Sequence, residues 1–498
     1  MCLLQDLLQH AQDTLDEIDA WLVILANTLA QDALNRGDLN SLRSLITTWQ
    51  TGAPDLVLQF FGDHAVWYVE GIVDMDRLTT ILTAGSLPKK VATSGVARPT
   101  SVWQEVVQGL WTGHVVVLTL HQPGAMLLNL AKPPQRDIGE PHTEQSVRGP
   151  QEAFVEPAGT KLAQLRHRLP SPNLEVTTFT VGRRFPVRCD LIYCRGIASE
   201  AVVHTMQARI QQLDVDTITN VTRLGSFIRD QPWSLFPTVR YSERVDWVAL
   251  QLESGKVAVS VAGDPFVLTA PASLMDFYRT SEDYSAAWYD TSFMRIIRIV
   301  AWAFGVMLPG WYIALTEVNP DLISPTLFDI VSGSHTGLPF TPIVEVVVMI
   351  LVIEILREAA VRLPTVLATT IGTVGAIVVG TAVVKAGFVS PQIIVLMTFT
   401  ALSLFSVPTY ELLASWRFTS WAVLLSAFVL GIYGIALVTL ALSIELVALT
   451  SFGTPYLMPW SPWRPKDWLD TLWRVPWRSL RRRSTAGREA DLQWQEEI

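Results

Sequence analysis

Apolar segments crowd into the second half of the chain, from Ile296 to about Leu449, whereas earlier residues mix apolar and polar positions at the spacings of a soluble fold. The runs 296–315, 366–384 and 393–413 each approach the roughly 20 residues a helix needs to cross a bilayer. The longer run 421–449 predicts a tilted or bent span. The stretch 343–362 is also apolar but carries Glu345, Glu354, Arg357, Glu358 and Arg362. A charge at membrane depth costs roughly 2.5–3.5 kcal/mol on insertion scales, so such residues mark a function or a buried pair.

In the first half, Leu4, Leu7, Leu8, Leu15, Ile18, Leu22 and Leu29 recur at three- and four-residue spacings. They predict an amphipathic helix over 3–30, and a second helix over 39–49 follows Asp38 as N-cap. This pair reads as a helical cap on the head or as a partner-binding element. Strands are predicted at 55–61 and 66–69, joined through Gly62, Asp63 and His64, and again at 115–120 and 126–130. A helix follows Asp74, and 85–99 reads as a loop. The Pro-, Gly- and charge-rich stretch 131–150 reads as a linker. Beyond it, helices at 161–169 and 199–212, the latter capped by Ser199, alternate with strands at 174–181, 187–193, 248–252, 256–261 and 265–269.

The fold class expected is a two-lobed α/β cytosolic N-terminal head followed by an all-α polytopic membrane bundle of about four to six segments. The domains expected are an N-terminal helical segment (1–54), a first α/β lobe (55–140), a second α/β lobe (141–290), the transmembrane bundle (291–450) and a basic Trp/Arg-rich cytosolic tail (451–498).

The 498 residues carry a net charge of −9, yet the tail from Trp460 to Arg483 is basic. The absence of a basic domain argues against a nucleic-acid partner. Cys2, Cys189 and Cys194 form no disulfide framework and fit a reducing compartment. Cys189 and Cys194, five apart on a strand, should face opposite sides of it. The opening MCLLQDLLQHAQD has no basic n-region or small-residue cleavage site, so no signal peptide is expected. Arg295 and Arg298 place the head in the cytoplasm, and the loop 317–336, with Glu317, Asp321 and Asp329 but no Lys or Arg, suits the outer side. Five full crossings would leave the basic tail outside, against the same rule. An even count requires that 343–362 does not cross fully or that 421–449 is a helical hairpin; the charges favour the first.

No Walker-type phosphate loop, zinc-protease helix, paired C-x-x-C or nucleophile elbow occurs, so no enzyme, cofactor or metal is expected. In the tail, Trp463, Trp468, Trp473 and Trp477 interleave with Arg474 and Arg478, a combination suited to an interfacial helix in an anionic lipid headgroup layer. Gly372, Ala376 and Gly380 recur every four residues and allow close helix packing within or between chains. Glu354 and Glu358 share a helix face, and Arg362 follows Glu358 at the favourable spacing. These charges read either as an internal salt-bridge cluster, with Arg357 and Arg362 as partners, or as an ion path lined by Glu345, Glu354 and Glu358.

Specific stretches resemble a known family. SVRGPQEAFVE at 146–156, LFP at 235–237, SERVD at 242–246, GKVAVSVAGDPFVL at 255–268 and SEDY at 281–284 occur in order. They are followed by LPFTPIVEVVVMILVIEILREAAVRLP at 338–364 and SPQIIV from 390. Together they resemble the A subunit of the GerA-type spore germinant receptors, over roughly 55–450. Three positions in two motifs depart: Gln151 and Ala153, because PQEAF stands for the family's PREGF, and Val245, which replaces a proline in ERPD. The resemblance implies a cytosolic two-lobed head, a multi-pass position in the inner spore membrane, a transporter-like B-type subunit and a lipoprotein C-type subunit as partners. It also implies a homo-oligomer that opens a monovalent-cation path on a nutrient signal. A secondary transporter with a regulatory head, or a non-conducting scaffold, are the alternatives; no repeat of the bundle supports the transporter.

Overall fold

The computed structural model describes residues 27–38, 41–42, 53–61, 63–83, 97–120, 122–132, 140–141, 143–335, 337–362 and 385–479. The first lobe contains strands β1 (Leu56–Phe61), β2 (His64–Val69), β3 (Ala97–Thr100), β4 (His114–Thr119) and β5 (Ala125–Asn129). They pair antiparallel in the order β1-β2-β4-β5-β3, with helices α1 (Met75–Thr83) and α2 (Trp103–Trp111). β3 lies where the sequence predicts loop; its ARPT lacks alternation, and only its pairing with β5 makes it a strand. Residues 27–36 are helical and cap this lobe. The Gln31 side chain accepts from the Trp103 N–H at 2.7 Å, while Ala30, Ala33 and Leu34 enter the core. The cap reading therefore holds for this part; the rest of 3–30 lies outside the described residues. Asp38 accepts from the Ser41 N–H at 3.3 Å, as an N-cap would.

The second lobe runs α3 (Ala158–Arg168), β6 (Leu174–Val181), β7 (Val187–Cys194), α4 (Glu200–Gln211), α5 (Val221–Ile228), β8 (Arg240–Ser242), α6 (Val245–Glu253), β9 (Val257–Val261) and β10 (Val267–Ala270). Its sheet order is β6-β7-β9-β10-β8, again antiparallel throughout. Strand–helix alternation thus builds antiparallel sheets here, an α+β arrangement rather than a parallel α/β one. Helices cover both faces. Val202, Met206, Leu224 and Ile228 pack with Cys189, Leu191 and Val259 on one side; Leu162, Leu165, Val248 and Leu252 pack with Ile192, Cys194 and Ala258 on the other. β9 is buried along its whole length, which explains its nearly unbroken apolar run. Cys189 and Cys194 are buried on opposite faces of the sheet, as their odd spacing requires.

The strand predicted at 248–252 is instead the end of α6. Val245, Val248 and Leu252 recur three and four apart and all bury on one sheet face, so the helical period wins over a short apolar run. The expected linker is partly docked on the head. Glu144 accepts from Arg240 at 3.0 Å, and buried Arg244 donates to the Glu144 carbonyl at 2.9 Å and the Pro150 carbonyl at 2.5 Å. The two departing motifs meet here, because Ala153 bridges Arg244 and the Val245 N–H reaches the Glu152 carbonyl at 3.3 Å. A buried Arg166–Asp55 pair at 3.0 Å pins the lobes together.

The second half is helical: α7 (Trp288–Ile313, prolonged by a π-turn to Val318), α8 (Pro325–Ser334), α9 (Pro342–Arg362), α10 (Pro391–Phe405), α11 (Tyr410–Leu430) and α12 (Ile432–Ala448). At the head end, Thr409 reaches the Phe277 carbonyl at 3.2 Å, Ser415 the Leu235 carbonyl at 2.7 Å, and Ser234 reaches Glu445 at 3.4 Å. At the far end, Glu317 caps α9 through the Ile343 N–H at 3.0 Å, and Asn319 accepts from the Ile432 N–H at 3.0 Å. α7 and α11 therefore run away from the head, and α9, α10 and α12 run back.

Among the described residues, Trp288–Val318 and Tyr410–Leu430 are long and apolar enough to cross a membrane. The predicted run 393–413 is cut where Pro408 follows α10. The run 421–449 is cut at Gly431 (φ +62°), where a Cβ would stand 1.9 Å from the Asn319 Oδ1. α11 and α12 form a helical hairpin, the other route to an even count, and 343–362 is one continuous helix that is not among the two long and apolar enough to cross. Gly372, Ala376 and Gly380 lie outside the described residues. Close packing is instead visible on α7, where a Cβ on Gly305 would meet Ser403 at 3.0 Å and one on Gly310 would meet Val423 at 2.7 Å.

Candidate functional site

The charges of 343–362 separate into different environments along α9. Glu354, nearer the head end, is bound by Arg357 one turn on and by Arg417 of α11 at 3.0 Å. These three line a cavity of about 40 Å³ between α9, α10 and α11, with Ile350, Met397 and Trp421. That is room for a water or two, and both arginine Nε atoms are buried without a hydrogen bond. The Glu–Arg cluster is thus inter-helical. Arg417 is the partner sequence reasoning missed, although a lone arginine in an apolar run was the signal. Glu358 is exposed on α9, and of the Arg362 side chain nothing is described.

Glu345 sits one turn into α9, fully buried. One carboxylate oxygen lies 2.9 Å from His335 Nδ1, and the other accepts the Ser390 N–H at 2.7 Å. The other imidazole nitrogen lies 3.0 Å from the Tyr312 hydroxyl. The imidazole thus bridges the Tyr312 hydroxyl and the Glu345 carboxylate through its two ring nitrogens. This chain ties α7, the α8–α9 connection and the start of α10 at the far end. Its members are scattered in sequence, and only the fold assembles them.

A third cluster joins the head to the bundle. Buried Asp283 pairs with Arg295 at 3.1 Å and Arg298 at 2.9 Å, both on α7. Arg295 also donates to the Asp470 carbonyl at 2.6 Å, and Tyr284 lies 3.1 Å from the Asp470 carboxylate. Asp276 accepts from Lys256 at 2.8 Å with Arg279 at 3.7 Å. Burial alone would raise the Asp276 carboxyl, but Lys256 and Arg279 hold it down at about 2. Asp283 is likewise held low: Arg295 and Arg298 outweigh the burial that would raise it. The SEDY stretch thus contributes Asp283 to this junction, a role its sequence pattern alone does not reveal.

The tail divides differently from the expected interfacial helix. It forms short 3₁₀ turns at Pro465–Asp470 and Trp477–Ser479. Arg474 is buried rather than interfacial: its N–H donates to Ser292 at 3.0 Å, its guanidinium to the Asp283 carbonyl, and it covers the Tyr284 ring at 4.5 Å. That correction follows from the acid-rich junction, which draws the arginine inward. Trp463 and Trp473 are exposed, Trp468 packs 4.7 Å from the Trp463 ring, and Arg478 is exposed. Trp477 has a described backbone only. Among the described residues no group of acids, histidines and cysteines could hold a metal ion.

The Bacillus/Clostridium GerA spore germination protein family matches residues 51–486. The chain is 31% identical to Spore germination protein KA of Bacillus subtilis over 83% of this chain and 79% of that protein. It is 34% identical to Spore germination protein B1 of the same organism, over 77% and 80% of the two chains. Spore germination protein GerQA of Bacillus cereus is 33% identical over 76% of each. Among solved structures, the N-terminal domain of the A subunit of the Bacillus megaterium spore germinant receptor GerK3 is 27% identical. It covers 47% of this chain and 94% of its own, with a TM-score of 0.37.

Proposed function

This chain belongs to the GerA spore germination protein family, and on that premise we propose that it is the A-type subunit of a nutrient-responsive germinant receptor whose copies assemble in the membrane to form or gate a monovalent-cation path. The observation that carries the reading is α7. It is one continuous helix, fixed to the head by the buried Asp283–Arg295–Arg298 cluster and reaching the Tyr312–His335–Glu345 chain at the far end. A shift of the head is thereby delivered to the end of the bundle that holds Glu345.

In this reading the head lies in the cytosol, the bundle crosses the inner spore membrane, and B-type and C-type subunits complete the receptor. Glu345 and Glu354 are held by partners in the closed arrangement and reach the path only when those contacts exchange, while Glu358 stands exposed. Trp463, Trp473 and Arg478 are the tail residues free to meet lipid.

The test is germinant-triggered cation release from spores carrying Glu345→Gln or Glu354→Gln. Reduced release at normal protein level supports the path; unchanged release removes both carboxylates from it. Purified chain reconstituted in vesicles should leak monovalent cations, and the absence of leak in every oligomeric state would favour the scaffold.

A further inference from the structure

A cavity of about 270 Å³ lies where the second lobe meets the bundle, between α5, β8 and the first turns of α11. Small-molecule sites occupy roughly 300–1,000 Å³, so its size suits a compact molecule or headgroup. The head contributes Arg229, Thr238 and Tyr241; the bundle contributes Glu411; Leu235 and Phe418 supply apolar wall. The Thr238 hydroxyl is fully buried and has no hydrogen-bond partner, and the Arg229 Nε is likewise buried and unsatisfied. Neither Arg229 nor Glu411 forms a salt bridge among the described residues, and the Arg229 guanidinium donates to the Pro232 carbonyl. Buried polar groups left unpaired in a roomy cavity are costly unless something completes them.

We infer that this cavity binds a small zwitterion, its anionic group on Arg229 and its ammonium on Glu411, and so bridges head and bundle. The same chemistry belongs to a free amino acid and to a phosphoethanolamine lipid headgroup; the exposed Phe418 leaves the mouth open to either. The inference does not depend on ion conduction. A chain that binds but never leaks would overturn the proposed path and leave this site standing.

The experiment uses the full chain in nanodiscs of phosphatidylglycerol, titrated with L-valine while thermal unfolding is followed. Isovalerate and valinamide, each carrying one of the two charges, serve as controls. A second arm compares phosphatidylethanolamine nanodiscs with phosphatidylglycerol alone. Saturable stabilisation by valine but not by its controls supports a free solute; stabilisation by phosphatidylethanolamine supports the lipid. In either case Glu411→Gln and Arg229→Gln should each weaken binding about tenfold or more. Ser226→Phe fills the cavity from an exposed position of α5 and leaves both charges in place, so it should abolish binding even if a charge variant folds poorly. No stabilisation in either arm, or binding unchanged in all three variants, overturns the site.

Discussion

Glu354 faces two guanidinium groups from two helices, so its removal differs from the loss of one surface pair. Glu354→Gln leaves both arginines in an apolar cavity without an anion and should cost about 1–3 kcal/mol in denaturant unfolding of the purified chain. Arg417→Gln leaves Arg357 in place and should cost less; equal costs would mean that Arg417 alone holds the carboxylate. At the junction the relevant property is acid sensitivity. Asp276 is depressed from 3.8 to about 2, so its contribution is complete above the ordinary carboxylate value and is lost as pH falls from about 4 through 2. Asp283 shifts in the same direction, so its contribution is likewise present above the ordinary carboxylate value and lost as pH falls below it. Acid titration followed by tryptophan fluorescence should show head and bundle separating there. A junction unchanged at pH 2 would contradict this coupling.

Among elements, the α11–α12 hairpin depends on one residue. Gly431 has φ +62° and leaves no space for a Cβ beside Asn319. Gly431→Ala should destabilise by about 1–3 kcal/mol or more from backbone strain alone, measured as a shift in unfolding midpoint. Gly310→Leu on α7 should cost about 1–3 kcal/mol by overpacking against Val423. The element pattern was legible in sequence where periodicity was long or strictly alternating. Strands β6 and β7 and helix α4 lie where the spacing places them. It failed where segments were short. α6 looked like a strand over five residues, and β3 exists only because β5 offers it an edge. It also failed over 393–413, which is broken at Pro408, and for 421–449 it offered a bend or a hairpin without its position, because hydropathy records apolar area but is blind to a single glycine or proline that turns the chain.

For the whole molecule, coupling runs through α7. Arg295→Met removes a buried cation from between Asp283 and Asp470 and should cost about 3–5 kcal/mol. If α7 relays the signal, this variant at normal abundance should also blunt germinant-triggered cation release. Normal release would show that the junction is structural only.

The sequence by itself determined the division into a half of mixed apolar and polar positions and an apolar half, and most secondary structure of the second lobe. Through its dispersed motifs it also determined the family. These rest on local periodicity and on residue order, both written along the chain. The tertiary structure alone decided which polar groups meet: Arg417 with Glu354, His335 with Glu345, Asp470 and Arg474 with the Asp283 cluster. It alone decided that Gly431 divides one apolar run into a hairpin and that the sheets are antiparallel. The physical reason is the same in each case. A buried charge is stable only beside its partner, and a strand only beside its neighbour; residues up to 220 positions apart become partners only when the chain folds back on itself.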